Sequence, residues 1–314
     1  MKVAALAGGI GAGKFLRGLT RVVPGEDLTV VVNVADDVVV HGLHVSPDPD
    51  SVTYWLGDAF DRDRGWGRRG ETFRASDELA AFDGERSWFG LGDLDLGTHL
   101  FRTGLLGEGV PLSEITRRIA VRFGVGARLL PATEDPIETR IACTGPSGEP
   151  LDLHFQEYWV RRGGQDPVVG VRYLGAETAS PAPGVLEAIG SADVVVLCPS
   201  NPVVSIGPIL AVPGVRGAVT ARRDAAVGVS GIVGGAPVAG MADKLMPAVG
   251  IDVSATGVAA SYQDLLAAWL VDDVDARAIP EVEALGMRCA ATDTIMVDDE
   301  RAEAVARAAL ELVA

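Results

Sequence analysis

Apolar positions along the chain change period several times, and the changes mark out its elements. Residues 2–7, KVAALA, form a short apolar run; a glycine-rich stretch follows, then KFLRGLTRVV with apolar residues at helical spacing, and LTVVVNV (28–34) is a second short run. Strand, loop, helix and strand in that order predict a βαβ unit, hence a parallel sheet with a right-handed crossover. After residue 50 the texture changes. DSVTYWLGDAF (50–60), LGTHLFRTGLL (96–106) and LSEITRRIAVRFG (112–124) have helical spacing, whereas short alternating segments between 126 and 175, separated by Gly, Pro and Asp, predict strands and hairpins. From 184 the α/β rhythm returns, with a helix in GVLEAIGSA, a strand at 193–198, helices near 205–211 and 242–249, a strand near 269–272 and a last helix in DERAEAVARAALELV. The pattern predicts an α/β fold: a Rossmann-like three-layer core with a parallel sheet, formed by residues 1–50 and 180–314, with a helical and β-rich segment, 51–179, inserted.

Composition narrows the partners. The 314 residues suffice for a substantial core, and 48% hydrophobic with 22% charged residues is ordinary for a folded domain. A net charge of −16 repels a phosphate backbone, so no nucleic-acid partner is expected. With no apolar run of about 18 residues and no signal-peptide pattern before Gly8, no membrane partner is expected, and the protein is placed in the cytoplasm. Cys143, Cys198 and Cys289 are odd in number and lack metal spacing, as buried thiols in a reducing compartment do. Of the 27 basic residues only Lys2, Lys14 and Lys244 are lysines, which singles out the two internal ones.

Four stretches carry candidate chemistry. AGGIGAGKF (7–15) fits a P-loop from Gly8 to Lys14 but has Phe15 where a magnesium-binding hydroxyl belongs; as a dinucleotide fingerprint it has Gly9 and Gly11 but Lys14 for the third glycine. Backbone N–H groups after a strand, a helix N-terminus and the Lys14 charge still make an anion site, unless the turn serves packing alone. In NVADDVVVHGLHVSPDPD (33–50), at the carboxyl end of the second strand, Asp36, Asp37, Asp48 and Asp50 supply the carboxylates that Mg²⁺ requires beside a phosphate; the alternative is that Asp36 and Asp50 are caps. Ser200, Asn201, Ser205 and the Gly207 backbone, in CPSNPVVSIG, offer donors for a diphosphate or nucleoside. Ser230 and Lys244, in the glycine-rich 228–246 stretch, are candidates to join that anion site. His41, His44 and His99 have no zinc spacing, and no nucleophile elbow supports a serine hydrolase.

Together GGIGAGK, NVADD, SPDPDSVTYWLGD, GLGDLDLGTHL, LHFQEYWV, PSNPVVSIGPIL and DKLMP resemble the 2-phospho-L-lactate transferase family of coenzyme F420 biosynthesis, called phosphoenolpyruvate transferase in actinobacteria, over nearly the whole chain. The resemblance implies transfer of a phosphoenolpyruvyl or 2-phospholactyl group from a guanylylated three-carbon acid to the ribityl hydroxyl of the deazaflavin Fo, releasing GMP, with Mg²⁺ and in a homodimer. It makes Asp36, Asp37 and Asp50 catalytic, Asp36, Asp37, Asp48 and Asp50 the metal and acceptor-hydroxyl group, and Gly8, Gly9, Gly11, Lys14, Ser200, Asn201, Ser205 and Gly207 the donor cradle. Trp55, Asp93, Asp95, His99 and Trp159 would line the deazaflavin site, and an Asp50→Ala exchange would abolish turnover with the fold intact. Two positions depart from the family's pattern: Leu94, where a deazaflavin contact is either absent or supplied by Arg102, and Gly13 before the lysine, which would loosen the loop. A related bacterial family that binds UDP-sugars shares the GGxG opening, so a regulatory UDP-sugar-binding protein is the alternative; Phe15 makes a P-loop kinase the weakest choice.

Overall fold

The computed structural model describes residues 1–314, with every side chain but that of Arg86. In chain order the strands are β1 (Val3–Ala7), β2 (Leu28–Val32), the hairpin β3 (Val38–Val40) and β4 (Leu43–Val45), β5 (Arg128–Pro131), β6 (Glu138–Thr144), β7 (Pro150–His154) and β8 (Val168–Leu174). They continue with β9 (Val194–Leu197), β10 (Ala226–Val229), the short hairpin β11 (Ile232–Val233) and β12 (Ala236–Pro237), β13 (Ala268–Asp272) and β14 (Arg288–Thr292). The helices used below are α1 (Gly9–Leu19), α2 (Pro47–Leu56), α3 (Arg74–Phe82), α4 (Asp93–Gly107), α5 (Leu112–Arg122), α6 (Val185–Ser191), α7 (Gly207–Ala211) and α8 (Val215–Thr220). Asp299–Glu311 is the last helix.

Seven strands form one parallel sheet in the order β14-β13-β10-β9-β1-β2-β5. Its strands read as continuous apolar runs because both faces are covered. Val3, Ala5 and Ala7 pack against Phe15, Leu16 and Leu19 of α1 and Val305 of the last helix, while Ala4 and Leu6 face Val185 and Ile189 of α6 and Val215 and Val219 of α8. Each such Val, Leu or Ile contributes about 1.5–3 kcal/mol by burial, and together they make the three layers expected.

Chain order reverses at β1, whose neighbours are β2 and β9, and this is the crevice where open α/β sheets bind ligands. Register brings the three strand ends level, Ala7 opposite Val32 and Leu6 opposite Leu197, so Gly8, Asn33 and the 198–201 turn emerge side by side.

Two boundaries differ from the sequence expectation. β5 lies within the expected 51–179 insertion, yet it pairs with β2 and completes the central sheet; apolar period identifies a buried strand but not the sheet that takes it. The helix also begins at Gly9, not near Lys14, leaving Gly8 as the whole strand-to-helix junction. The remainder of the insertion is as expected, helices α2 to α5 and then an antiparallel sheet in the order β7-β6-β8.

Candidate active site

Gly8 leaves β1 extended, with φ −158° and ψ 143°, and Gly9 turns the chain into α1 with φ +72°. A Cβ on Gly8 would lie 2.5 Å from Asp48 Oδ2 and 2.7 Å from Ser205 Cβ, so the absence of a side chain is what lets three segments meet. The Gly8 N–H donates to Ser200 Oγ at 3.3 Å. Asp48 and Ser205 therefore flank the start of α1, where the first N–H groups have no partners within the helix and the helix dipole favours an anion.

The acidic loop is organised by Asn33, fully buried at the end of β2. Its Nδ2 donates to Asp48 Oδ2 at 2.9 Å and to the Val204 carbonyl at 3.1 Å, and its Oδ1 accepts from the Ala35 N–H at 3.0 Å. Asn33 thus joins the strand end, α2 and the 202–206 turn. Burial, partly offset by the Asn33 hydrogen bond, pushes the Asp48 carboxyl up to about 7. Burial and the charge of Asp48 likewise hold Asp36 well above the usual carboxylate range. Two buried acids that resist joint ionisation are a place where a cation is favoured.

Asp37 and Asp50 are held separately. The β3–β4 hairpin turns back at His41 and Gly42, both with positive φ. This returns His44 Nε2 to 2.8 Å and Ser46 Oγ to 2.7 Å from Asp37 Oδ2. Asp50, in the first turn of α2, takes a hydrogen bond from Arg102 of α4, and His99 Nδ1 lies 3.7 Å from its Oδ2. Arg102 also donates to the His44 carbonyl at 3.3 Å and approaches His99 Nδ1 at 3.2 Å. Burial lowers the His99 pKa to about 4, so this imidazole is neutral at physiological pH and accepts from Arg102.

The four aspartates therefore do not form one ligand cluster. Among the described residues no group of three or more His, Cys, Asp and Glu is placed to hold a metal by itself. Mg²⁺ asks for only one or two protein carboxylates, the remaining positions going to water and phosphate. The donor set fits that requirement: Asp36 Oδ1, Asp37 Oδ1 and Asp50 Oδ2 are buried oxygens without a hydrogen-bond partner.

The other expected residues divide clearly. Gly11 packs on the Pro199 carbonyl, where a Cβ would come within 2.4 Å. Gly13 is buried against Trp55 inside α1, so it tightens the α1–α2 contact and does not loosen a loop. Lys14 stands half-buried in the second turn of α1. Asn201 caps the 202–206 turn, its Oδ1 accepting from the Val203 N–H at 2.9 Å and the Val204 N–H at 3.2 Å, and Gly207 starts α7 against the Tyr173 hydroxyl. Ser230 and Lys244 are engaged elsewhere: Ser230 Oγ donates to the Ile232 carbonyl at 2.7 Å, and Lys244 Nζ to the Gly164 carbonyl at 2.6 Å.

In the insertion, Asp93 caps α3, accepting from the Ala75 N–H at 3.0 Å. Trp55 is buried and stacked on Phe60 at 4.6 Å, so it is no open wall for a flat ligand, whereas Trp159 is 37% exposed. Leu94 is exposed, and Arg102 is buried and hydrogen-bonded to Asp50. Asp95 accepts from the Tyr54 hydroxyl at 2.6 Å, and Tyr54 also reaches Thr98.

Burial pushes the Asp95 carboxyl up to about 7 against the pull of the Tyr54 hydrogen bond. The folded state thus favours its protonated form, a contribution whole below about pH 4 and lost as pH rises through about 7. Asp95→Asn should flatten the stability profile across that window, making the variant's thermal midpoint fall less than the wild type's between pH 5 and pH 8. An equal fall in both proteins contradicts the assignment.

Asn33, Tyr54 and His154 join the site without belonging to the four candidate stretches' expected ligands. Asn33 had a signal, a lone amide at a strand end before two acids; Tyr54 and His154 had none, because their partners lie 41 and 117 residues away.

Residues 3–311 match the family profile described as 2-phospho-L-lactate transferase CofD. Proteins named phosphoenolpyruvate transferase are 51% identical in Streptomyces griseus and 50% in Streptomyces coelicolor, each alignment covering 99% of this chain and 98% of the relative. In Thermobifida fusca the identity is 46% over the same shares. A crystal structure of a UPF0052-family protein of Bacillus halodurans superposes with a TM-score of 0.64 at 19% identity, covering 98% of both chains, which shows the fold. The chain belongs to the 2-phospho-L-lactate transferase CofD family.

Proposed function

We propose that this protein moves a phosphoenolpyruvyl group from a guanosine diphosphate donor to the ribityl hydroxyl of the deazaflavin Fo, releasing GMP, in coenzyme F420 biosynthesis. The observation that carries this is the meeting of Asp48, Ser200 and Ser205 on Gly8 at the start of α1, with partnerless carboxylate oxygens behind it. The enolpyruvyl donor is preferred over the 2-phospholactyl one because relatives at 51% and 50% identity carry the name phosphoenolpyruvate transferase. A UDP-sugar-binding role rests only on the glycine-rich opening.

The acceptor oxygen forms a bond to the phosphorus that bears the three-carbon acid, the bond from that phosphorus to the bridging oxygen breaks, and GMP leaves with the electron pair. Gly8 lets Ser205 and Asp48 close on the β1–α1 junction, and Ser200, Ser205, Lys14 and the α1 N-terminus hold the charge of the diphosphate. Asp36 and Asp37, through the Oδ1 atoms that have no other partner, would hold Mg²⁺, which supplies charge neutralisation on the phosphoryl oxygens when bound. Asp48 flanks that pair, and Asp50 Oδ2, on the α4 side, orients the acceptor hydroxyl and takes its proton. Asp95 and His99 lie beyond Asp50 toward the deazaflavin. As part of the same proposal the enzyme works in the cytoplasm and as a homodimer. No helix among the described residues is long and apolar enough to cross a membrane.

Chelation tests the metal. EDTA should lower GMP release at least about 100-fold and Mg²⁺ should restore it, as expected where a cation offsets phosphoryl charge. Undiminished release after exhaustive chelation would remove Mg²⁺ from the scheme.

A further inference from the structure

Each strand of the inserted antiparallel sheet touches a loop of the site. The Thr139 N–H of β6 donates to the Ala35 carbonyl at 2.8 Å, His154 Nε2 of β7 to the Asp37 carbonyl at 3.1 Å, and the Tyr173 hydroxyl of β8 to the Val203 carbonyl at 2.5 Å. The acceptors belong to different crossovers of the central sheet: Ala35 and Asp37 follow β2, and Val203 follows β9. The sheet therefore bridges the acidic loop and the serine-bearing turn.

We propose that His154 is a positioning residue for the acidic loop: by donating from Nε2 to the Asp37 carbonyl it fixes the peptide plane that follows Asp37 and, with the Thr139 bond to the Ala35 carbonyl ahead of Asp36, the orientation of the Asp36 and Asp37 carboxylates. This role rests on the proposed function, since it concerns the residues given there to the metal. The tautomer follows from the local chain. The Gln156 N–H donates to His154 Nδ1 at 3.0 Å, so Nδ1 is the acceptor and the proton is on Nε2, facing Asp37. Thr139 and His154 grip the loop on either side of Asp36, at the carbonyls of residues 35 and 37. No other side chain is bonded to the Asp37 carbonyl among the described residues. Losing the His154 donor leaves that part-buried carbonyl unpaired and lets the peptide rotate, carrying the partnerless Asp36 Oδ1 and Asp37 Oδ1 out of register. Partners that orient metal-binding groups from behind typically matter about 10- to 100-fold in affinity or activity.

The test compares His154→Phe, which keeps the ring but not the donor, with His154→Gln, whose amide nitrogen reaches the same carbonyl, in the full-length protein. Three quantities are measured: amide hydrogen exchange over residues 33–40, Mn²⁺ affinity without donor or Fo, and kcat and KM for GMP release. His154→Phe should speed exchange in that segment, weaken Mn²⁺ about 10- to 100-fold and lower kcat with an unchanged donor KM. His154→Gln should stay near wild type in all three. If His154→Phe does not fold, His154→Asn, too short to reach the carbonyl, replaces it with the same expectations. Exchange and Mn²⁺ affinity equal to wild type in the donor-less variant overturn the proposal, as does a general loss of protection across β6 to β8 that Gln fails to rescue. Wild-type protein that releases no GMP refutes the proposed function and leaves the exchange and Mn²⁺ results to decide His154 separately.

Discussion

Asp50→Ala should abolish detectable GMP release and also destabilise the protein by about 3–5 kcal/mol, the usual consequence of stranding one partner of a buried ion pair. Asp50 and Arg102 are both buried, and the guanidinium is also committed to the His44 carbonyl, so it has no route to water when the carboxylate is gone. The sequence supports a catalytic Asp50 whose loss leaves the fold intact; the structure replaces the second half of that expectation, because the same carboxylate supplies the site and neutralises an arginine. Asp50→Asn separates the roles. Its amide oxygen can still accept from Arg102, so stability should recover part of the loss while turnover stays absent, measured by urea unfolding beside a GMP assay. An alanine variant with wild-type stability would show that Arg102 has another partner, and an active asparagine variant would show that the charge is not needed.

Gly8→Ala should lower kcat/KM by about 100-fold or more and stability by about 1–3 kcal/mol. The backbone there is extended and any residue can adopt it, so the whole effect is steric. The new methyl would meet Asp48 Oδ2 and Ser205 Cβ, and Asp48 can retreat only by giving up the Asn33 hydrogen bond to the same oxygen. Pushing Asp48 outward also displaces the charge that faces Asp36. Gly97→Ala on α4, where nothing lies within 4 Å of the added carbon, is the control; it should leave activity unchanged and raise stability by up to about 1 kcal/mol. Wild-type kcat/KM in Gly8→Ala would mean that the diphosphate does not bind at the β1–α1 junction.

Much of this was legible in the chain because a parallel sheet writes itself in short apolar runs. KVAALA and LTVVVNV predict β1 and β2 closely, and the strand-end rule then points to Gly8 and the acidic loop without any knowledge of contacts. Legibility stopped where identity and distance separate. Gly13 looks like a loop residue by composition, yet it is a flat spot on a helix that lets Trp55 approach. Asp36 and Asp48 look like two of four equivalent acids, yet burial and Asn33 make them a pair, while Arg102 takes Asp50 into a different one. Lys244 looks like a phosphate ligand by rarity, yet it ties the 228–246 stretch to Gly164. For Gly13, Asp50 and Lys244 the deciding partner lies tens of residues away, and local pattern carries no trace of it.

The most direct test mixes wild-type protein, Mg²⁺, Fo and guanylylated phosphoenolpyruvate and follows GMP and the deazaflavin mass together. The account requires one GMP for each Fo consumed and a product carrying the phosphoenolpyruvyl group on its ribityl end. Donor that binds without releasing GMP, or tight binding of a UDP-sugar with no change to Fo, would contradict it.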